Sequence, residues 1–282
     1  MKIKVIKMVS KAMIVCLAAM LGTTPKSEVI EKFHVQHCLV GAESVRFRLF
    51  RPEAKQLMPL IVWLHGYGEA GCNNKDQLAW LELIVQDHLP AYILALQRPQ
   101  AEPRWLTTSG NSDPLECLMA IIEDAVERFA IDHDRIYLCG ISAGASGCWE
   151  LARRHPGRFA AMLPLATTLV GDDAQTLVRT PVWAFQSSAD GADSVKSVAQ
   201  MIRNINAEGG RAHLTLIHSD RHDCWTAALG RYQALEWLLR QTGDWDLDPL
   251  PGGKVAPNLS PILAGLILGL LGWLGWRRVI RN

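Results

Sequence analysis

The sequence has almost no net charge, no internal repeat and no short motif that binds a metal or a nucleotide. Its 282 residues carry a formal net charge of +1 without a Lys/Arg-rich stripe in the central region, which argues against nucleic acid as a partner. No segment recurs at a fixed period and no low-complexity tract is present, so repeat architectures are not indicated. The seven cysteines include no C-x-x-C pair, the spacing typical of metal and redox sites.

A hydrophobic content of 49% over this length is enough for one sizeable domain with a well-filled core. Within residues 29–245, short apolar runs bounded by turn residues alternate with helical stretches. The runs predicted as strands are residues 45–50, 60–64, 92–96, 136–140, 161–165, 182–185 and 214–217. The stretches predicted as helices are residues 77–89, 115–129, 143–154, 194–207 and 226–240. The alternation predicts an α/β fold, a mostly parallel, doubly wound sheet flanked by helices, with its site at the carboxyl ends of the strands.

Residues 1–24 have the composition of a secretory signal peptide or an N-terminal anchor. Four lysines accompany an uncharged run at residues 12–22. Such a run is too short to span a bilayer as a helix but fits the apolar region of a signal peptide. No A-x-A cleavage motif precedes Thr23, so an uncleaved anchor and a buried N-terminal helix stay open as alternatives.

The C-terminal part of the sequence predicts a membrane helix. Residues 259–276 are uncharged and, at about 1.5 Å per residue, reach about 27 Å, close to the hydrocarbon thickness of a bilayer. Two tryptophans lie near the end of this run and three arginines follow it. We expect a linker at 246–258, a transmembrane helix or sorting signal at 259–276, and a basic cytoplasmic tail at 277–282. The domain at 29–245 is then exported and membrane-anchored, in the periplasm or outside the cell.

Cysteine content is compatible with such a compartment. The six cysteines that follow Cys16 are an even number, which permits disulfides outside the cytoplasm, although the sequence does not reveal a pairing. Cys139 and Cys148 belong to a predicted strand and a predicted helix, where we expect them to behave as small buried apolar residues.

A candidate nucleophile lies in the pentapeptide Gly140-Ile-Ser142-Ala-Gly144, between a predicted strand and a predicted helix. This is the context in which G-x-S-x-G forms a sharp turn that exposes its serine. The N-terminus of the following helix favours a developing negative charge. The same glycines do not indicate a nucleotide site, because no Gly-Lys-Ser/Thr follows them.

A serine hydroxyl needs a base, and an acid to orient that base. His222 follows the last predicted strand in a loop and is favoured as the base over His218, which lies at the end of that strand. After the strand at 182–185, Asp190 and Asp193 are both candidates for the acid. We favour Asp190, since it is nearer the strand end and Asp193 could instead cap the next helix.

Two backbone N–H groups are expected to form an oxyanion hole. One belongs to Ala143, directly after the candidate nucleophile, and the other to Tyr67, between two glycines in the loop after the strand at 60–64. His65 opens that loop and is expected to be a structural hydrogen-bonding residue. Trp105 is open to two interpretations, as a pocket residue or as ordinary loop packing.

The segments 59–74 (PLIVWLHGYGEAGCNN), 131–166, 180–190 (TPVWAFQSSAD) and 221–225 (RHDCW) resemble a known group of enzymes. They are similar to the phospholipase/carboxylesterase-type and polyhydroxybutyrate-depolymerase-like esterases, often called predicted peptidases, of the α/β-hydrolase superfamily. The resemblance covers about residues 45–241. It implies the α/β-hydrolase fold, the triad Ser142, Asp190 and His222, and an oxyanion hole at Tyr67 and Ala143.

Two positions depart from the pattern of that group. This chain has Gln186-Ser187 where the group usually has His-Gly, and its elbow reads Ser-Ala-Gly-Ala where Ser-Met-Gly-Gly is common. Neither change removes a group that the expected chemistry needs.

These residues predict a serine hydrolase that cleaves carboxylic esters through an acyl-serine intermediate. The expected partners are a small-molecule or surface-presented ester and, through the C-terminal helix, a membrane; no metal or organic cofactor is implied. A peptidase or an acyltransferase could use the same triad, and a non-catalytic surface module could have kept only the fold.

Overall fold

The computed structural model of the chain describes residues 26–53, 55–85, 89–99, 105–106, 113–168 and 170–242. Its centre is a mixed sheet of eight strands in the order β1-β2-β4-β3-β5-β6-β7-β8. The strands are β1 (Phe33–Val40), β2 (Glu43–Phe50), β3 (Met58–Leu64), β4 (Tyr92–Leu96), β5 (Ile131–Ile141), β6 (Ala161–Leu165), β7 (Val182–Ser187) and β8 (Ala212–Ile217). The first two strands pair antiparallel, β2 also pairs antiparallel with β4, and the remaining neighbours are parallel.

Helices connect the strands. The α-helices are α1 (Lys26–Lys32), α2 (Pro114–Arg128), α3 (Ala143–Arg154), α4 (Ala192–Ala207) and α5 (Ala234–Arg240), with a π-helical segment at Ala227–Arg231. Helix α2 begins with a favourable cap, because the Asp113 side chain accepts the Leu115 N–H and Pro114 occupies the first turn. Helix α3 follows β5 after a single residue, which brings the start of the helix to the carboxyl edge of the sheet.

Both faces of the sheet are covered, as the continuous apolar strands require. Alternate residues of β3 belong to two separate buried clusters, with Leu60, Val62 and Leu64 on one face and Ile61 and Trp63 on the other. Helices α2, α3 and α4 pack on the first face, and α1, α5 and the π-helical segment on the second. Burying one such large side chain contributes about 1.5–3 kcal/mol, so these alternating residues stabilise the sheet from both faces.

The structure confirms the α/β fold with helices on both sides of the sheet. All seven predicted strands are present, some of them longer than predicted. The strand at 45–50 is the second arm of a hairpin, and the edge strand β1 was not predicted. Helix α1 was also not predicted.

One predicted helix, residues 77–89, is wrong over its described part. The chain forms two short 3₁₀ turns, Asp76–Leu78 and Leu81–Leu83. Between them Trp80 adopts a left-handed backbone, φ 70°, which an α-helix does not contain. Leu78, Leu81 and Ile84 are nevertheless fully buried. The apolar spacing therefore predicted which side chains are buried, but it did not predict the backbone hydrogen bonds.

The predicted helix at 226–240 is broken in two. The π-helical segment comes first, and Gln233, with φ 51°, separates it from α5. Trp225 and Trp237 are both buried in the same cluster. In an unbroken α-helix, twelve residues would rotate them about 120° apart, so the irregular turns bring both indoles to the sheet.

Four of the predicted segments lie outside the described residues, namely 1–24, 246–258, 259–276 and 277–282. The domain boundaries given above therefore stay predictions. Among the helices that the structure describes, none has the length and apolarity needed to cross a membrane.

The six cysteines of the described residues are all free thiols. Cys139 and Cys148 are fully buried, as expected.

Candidate active site

Ser142 is the single residue between β5 and α3. Its backbone has φ 53° and ψ −115°, a conformation that residues with side chains rarely adopt. The Ser142 N–H donates to the Leu165 carbonyl of β6 at 2.8 Å, which ties the strained residue to the sheet. The turn therefore has the geometry of the elbow that the G-x-S-x-G pattern predicts.

Two glycines allow this turn because backbone approaches backbone around it. A Cβ atom on Gly140 would lie 2.6 Å from the Gly144 carbonyl oxygen. A Cβ atom on Gly144 would lie 2.0 Å from the carbonyl oxygen of Leu64 in β3. Contacts this short do not occur for real side chains, so the first turn of α3 can lie against β5 and β3 only with glycine at these two positions.

His222 connects Ser142 to Asp190. Its Nε2 lies 2.9 Å from Ser142 Oγ, and its Nδ1 is hydrogen-bonded to Asp190 Oδ1. Because the carboxylate accepts from Nδ1–H, the neutral ring has its lone pair on Nε2, directed at the serine hydroxyl. The Asp190 side chain is only 2% exposed, whereas that of His222 is 44% exposed.

The alternative candidates for the base and the acid, His218 and Asp193, do not take part in these hydrogen bonds. His218 is exposed directly after β8. Asp193 is exposed in the first turn of α4, whose N-cap is Gly191, so Asp193 does not cap that helix. The structure thus brings together the favoured residues of each pair.

The Asp190 carboxylate raises the pKa of His222 above its ordinary value through the hydrogen bond to Nδ1. Partial burial of the ring lowers the pKa, while the charges of Asp190 and Asp223 raise it further. The indole of Trp225 meets the imidazole edge to face, with 5.6 Å between ring centroids.

A cavity of about 380 Å³ opens beside Ser142. Its lining residues are Tyr67, Trp105, Leu106, Ser142, Ala143, Ser146 and Thr168. Tyr67 and Ala143 each begin a helical turn, at Tyr67–Glu69 and in α3, so neither backbone N–H has a partner within its own helix. Both expected oxyanion donors therefore belong to residues that line the same cavity as Ser142.

His65 holds the loop that carries Tyr67. The ring is fully buried, its Nε2 accepts the Arg98 N–H at 3.0 Å, and its Nδ1–H donates to the Gly66 carbonyl at 2.6 Å. Since C=O and N–H point in opposite directions across a trans peptide, holding the Gly66 carbonyl also sets the direction of the Tyr67 N–H. Burial lowers the pKa of His65 to about 4, so the ring is neutral near pH 7.

Trp105 lines the cavity and is also packed into the loop structure. Its ring lies against His65 with 5.3 Å between centroids, and its Nε1–H donates to the His65 carbonyl at 3.0 Å. Both interpretations offered by the sequence therefore apply to this residue.

Two hydroxyls of the cavity were missed in the sequence. Ser146 Oγ and Thr168 Oγ1 lie 3.0 Å apart. Ser146 is one helical turn beyond Ser142, and Thr168 follows β6 at the carboxyl edge of the sheet. Both positions could have been found from helical spacing and from the strand ends.

Gln186, one of the departures from the pattern of similar enzymes, has a structural role. Its side chain is fully buried; Oε1 accepts the Thr167 N–H at 2.7 Å and Nε2 donates to the Thr167 carbonyl at 3.0 Å. The amide thereby joins the ends of β6 and β7 and supports the neighbouring Thr168. Within the described ranges, no group of three or more His, Cys, Asp or Glu residues is arranged to hold a metal ion.

The family profile of Esterase PHB depolymerase matches residues 45–206, more than half of the chain. The chain belongs to this family. The resemblance noted in the sequence is confirmed, and the fold is the α/β-hydrolase fold of the similar solved structures. No curated protein matches the chain.

Solved structures similar to this esterase-family chain include a thermostable esterase, with a TM-score of 0.65 and 25% identity over 76% of this chain and 64% of that one. FphF, a fluorophosphonate-binding serine hydrolase of Staphylococcus aureus, has a TM-score of 0.58 and 11% identity over 74% of this chain and 98% of its own. The acylaminoacyl peptidase of Pyrococcus horikoshii has a TM-score of 0.58 and 14% identity over 80% of this chain and 45% of its own. The chain thus spans less than two thirds of the thermostable esterase and of the peptidase. The last two likenesses concern the fold alone.

The raised pKa of His222 predicts a pH profile for hydrolysis. The ring acts as a base only when neutral, so kcat/KM should fall as the pH drops through the pKa, with a midpoint above 6.5. Asp190→Asn should move this midpoint to lower pH and reduce the rate by about 10⁴-fold. Stopped-flow hydrolysis of an activated ester, measured from about pH 4 to about pH 9, gives both the midpoint and the rate. A wild-type midpoint at or below 6.5 would contradict the geometry.

His65→Leu should lower kcat more than it changes KM. Leucine preserves apolar volume beside Trp105 but releases the Gly66 carbonyl, so we expect kcat to fall about 10- to 100-fold as the Tyr67 N–H loses its direction. Loss of the hydrogen bond from the Arg98 N–H to His65 Nε2 should cost about 1–3 kcal/mol of stability. Steady-state kinetics and thermal unfolding measure the two effects. Reduced stability with an unchanged kcat would restrict His65 to a structural role.

Proposed function

We propose that the protein hydrolyses carboxylic esters through an acyl-enzyme formed on Ser142. The observation that carries this proposal is the His222 ring, which is hydrogen-bonded to the Asp190 carboxylate on one side and lies 2.9 Å from Ser142 Oγ on the other. That arrangement activates a hydroxyl that would otherwise be a poor nucleophile.

In the first half of the reaction, Ser142 Oγ attacks the ester carbonyl carbon while its proton moves to His222 Nε2. Asp190 stabilises the imidazolium through the Nδ1 hydrogen bond. The negative charge on the former carbonyl oxygen is stabilised by the N–H groups of Tyr67 and Ala143. One such donor typically contributes about 3 kcal/mol to the transition state.

The tetrahedral intermediate collapses when the C–O bond to the alcohol breaks and His222 returns its proton to the leaving oxygen. Water then gives a proton to His222 and attacks the acyl carbon, and the acid leaves as Ser142 Oγ recovers the proton. The half-exposed face of His222 gives water access to the base. Family membership supports an ester as the substrate.

Fluorophosphonate labelling of the full chain, purified in mild detergent, tests the activated serine. The wild type should gain one phosphonyl adduct by intact mass, and Ser142→Ala should gain none and lose at least about 10⁴-fold in ester turnover. His222→Ala should abolish rapid labelling, while the matched variant His218→Ala should keep it, since His218 is exposed and lies off the site.

Two outcomes would overturn the proposal. A folded wild type that takes no adduct would favour a non-catalytic surface module, and an adduct that persists in Ser142→Ala would move the nucleophile elsewhere. Panels of matched esters and amides separate esterase from peptidase, and an added alcohol acceptor reveals acyl transfer.

We further propose that this domain is exported and anchored in a membrane. The support is in the sequence, where an 18-residue uncharged run, 259–276, precedes three arginines and four lysines accompany the apolar run at 12–22.

Fractionation of cells that express the full chain tests the anchor. The chain should sediment with membranes and resist extraction at high salt, while a chain that stops at residue 250 should be released, since it lacks the uncharged run at 259–276. Release of both chains into the soluble fraction would contradict the membrane proposal and leave the proposed hydrolysis untouched.

A further inference from the structure

The loop that carries His222 begins where the sheet ends. Strands β7 and β8 pair in parallel from Val182 and Ala212 up to Ser187 and Ile217. Beyond this register, the next regular element after β8 is the π-helical segment that begins at Ala227. Ladder hydrogen bonds from the sheet therefore do not hold the residues directly before His222.

Side-chain hydroxyls continue the connection between the two chains. Ser188 Oγ donates to the Ser219 carbonyl at 2.8 Å and accepts the Ser219 N–H at 3.0 Å. One hydroxyl thus satisfies both backbone groups of a single residue, as a neighbouring strand would. Ser187 Oγ donates to the Arg221 carbonyl at 2.6 Å, one residue before His222.

The same serines shape the loop of the acid. The Ser187 N–H donates to Asp190 Oδ2 at 2.8 Å, and Ser187 Oγ accepts the Ala189 N–H at 3.1 Å. Asp190 thus uses one oxygen for the Ser187 backbone and the other for His222. Ser187 contacts the acid through its N–H and the loop of the base through its hydroxyl.

We propose that Ser187 and Ser188 are positioning residues, whose hydroxyls hold the backbone before His222 so that the imidazole stays between Asp190 and Ser142. The proposal rests on the proposed function for the meaning of that geometry. Neither serine contacts the reacting atoms; both act through the histidine. We call this pair of residues and its hydrogen bonds to residues 219 and 221 the serine latch.

The exposure of His222 explains why a latch is needed. Nearly half of the side chain faces solvent, and Trp225 provides an edge contact. Besides its hydrogen bonds to Asp190 and Ser142, the imidazole therefore depends on its backbone for its position. A displacement of about 1 Å can cost about a hundredfold in rate when reacting groups are held at hydrogen-bond distance.

Ser188 provides the cleaner substitution because it is exposed, whereas Ser187 is fully buried. Ser188→Ala should lower kcat about tenfold with KM little changed, and Ser187→Ala/Ser188→Ala about a hundredfold. Ser188→Thr keeps the hydroxyl and should restore kcat to within about twofold of the wild type. Ser44→Ala is the matched control, since Ser44 is an exposed serine on β2 whose hydroxyl is hydrogen-bonded to His37, away from the site.

The pH dependence separates positioning from a general loss of stability. Two carboxylates act on the His222 ring, Asp190 from the acid loop and Asp223 from its own loop. Loosening the latch weakens the Asp190 hydrogen bond, so the raised pKa of His222 should fall and the acid limb of kcat/KM should move to lower pH. Ser44→Ala should leave the limb where it is in the wild type.

Nuclear magnetic resonance of ¹³C-histidine in the full chain measures the His222 titration without any turnover. The His222 signal is assigned by its loss in His222→Ala. The latch is supported if the pKa of His222 is lower in the double variant than in the wild type. The pKa of His222 should also be higher in Ser188→Thr than in Ser188→Ala. Equal His222 titration and equal kcat in all serine variants would overturn it.

This readout keeps the two proposals distinguishable. A wild type that neither turns over esters nor takes the phosphonate would defeat the proposed function, and the His222 titration would still decide whether the latch holds the ring. If the double variant does not fold, the comparison of Ser188→Ala with Ser188→Thr tests the latch by itself, because Ser188 is exposed.

Discussion

The site depends on a contact between two backbones, the start of α3 and the end of β3. Gly144 lies so close to the Leu64 carbonyl that no side chain fits between them. This contact leaves Ser142 in its strained turn and presents the free N–H at the start of α3. The next residue after Leu64 is His65, which holds the loop of Tyr67. Ser142 and the two expected oxyanion donors, Tyr67 and Ala143, thus lie around this one contact between α3 and β3.

The other half of the site is built from polar contacts instead of packing. Asp190 and His222 come from the loops after β7 and β8, where the ladder has ended. A buried amide at Gln186 and the hydroxyls of Ser187 and Ser188 replace ladder hydrogen bonds there. Polar side chains can hold irregular backbone because each satisfies groups that would otherwise be left without partners. The closely packed turn at Ser142 therefore faces a histidine, His222, whose position rests on several modest hydrogen bonds.

Prediction from the sequence worked best where one physical rule dominates. The buried strands were found because apolar runs between turn residues are the signature of a sheet covered on both faces. The segments 77–89 and 226–240 misled because apolar spacing indicates which side chains are buried and not which hydrogen bonds the backbone makes. Trp80 and Gln233 have left-handed backbones that no α-helix contains, and the chain that they shape buries Leu78 and Leu81 in the first segment and Trp237 in the second. The helix propensities of the residues in these segments do not indicate where a left-handed residue will stand.

The order of the residues alone predicts an α/β sheet and a serine, Ser142, in the turn between a strand and a helix. It also predicts an aspartate and a histidine in the loops after two later strands, and a resemblance to a family of esterases. These features are local, since a glycine pattern or an apolar run acts within a few residues. The choice between His222 and His218, and between Asp190 and Asp193, is made by tertiary structure. Only pairing and packing set which loop residues turn toward Ser142, because groups 32 and 80 residues apart in sequence must meet within hydrogen-bond distance.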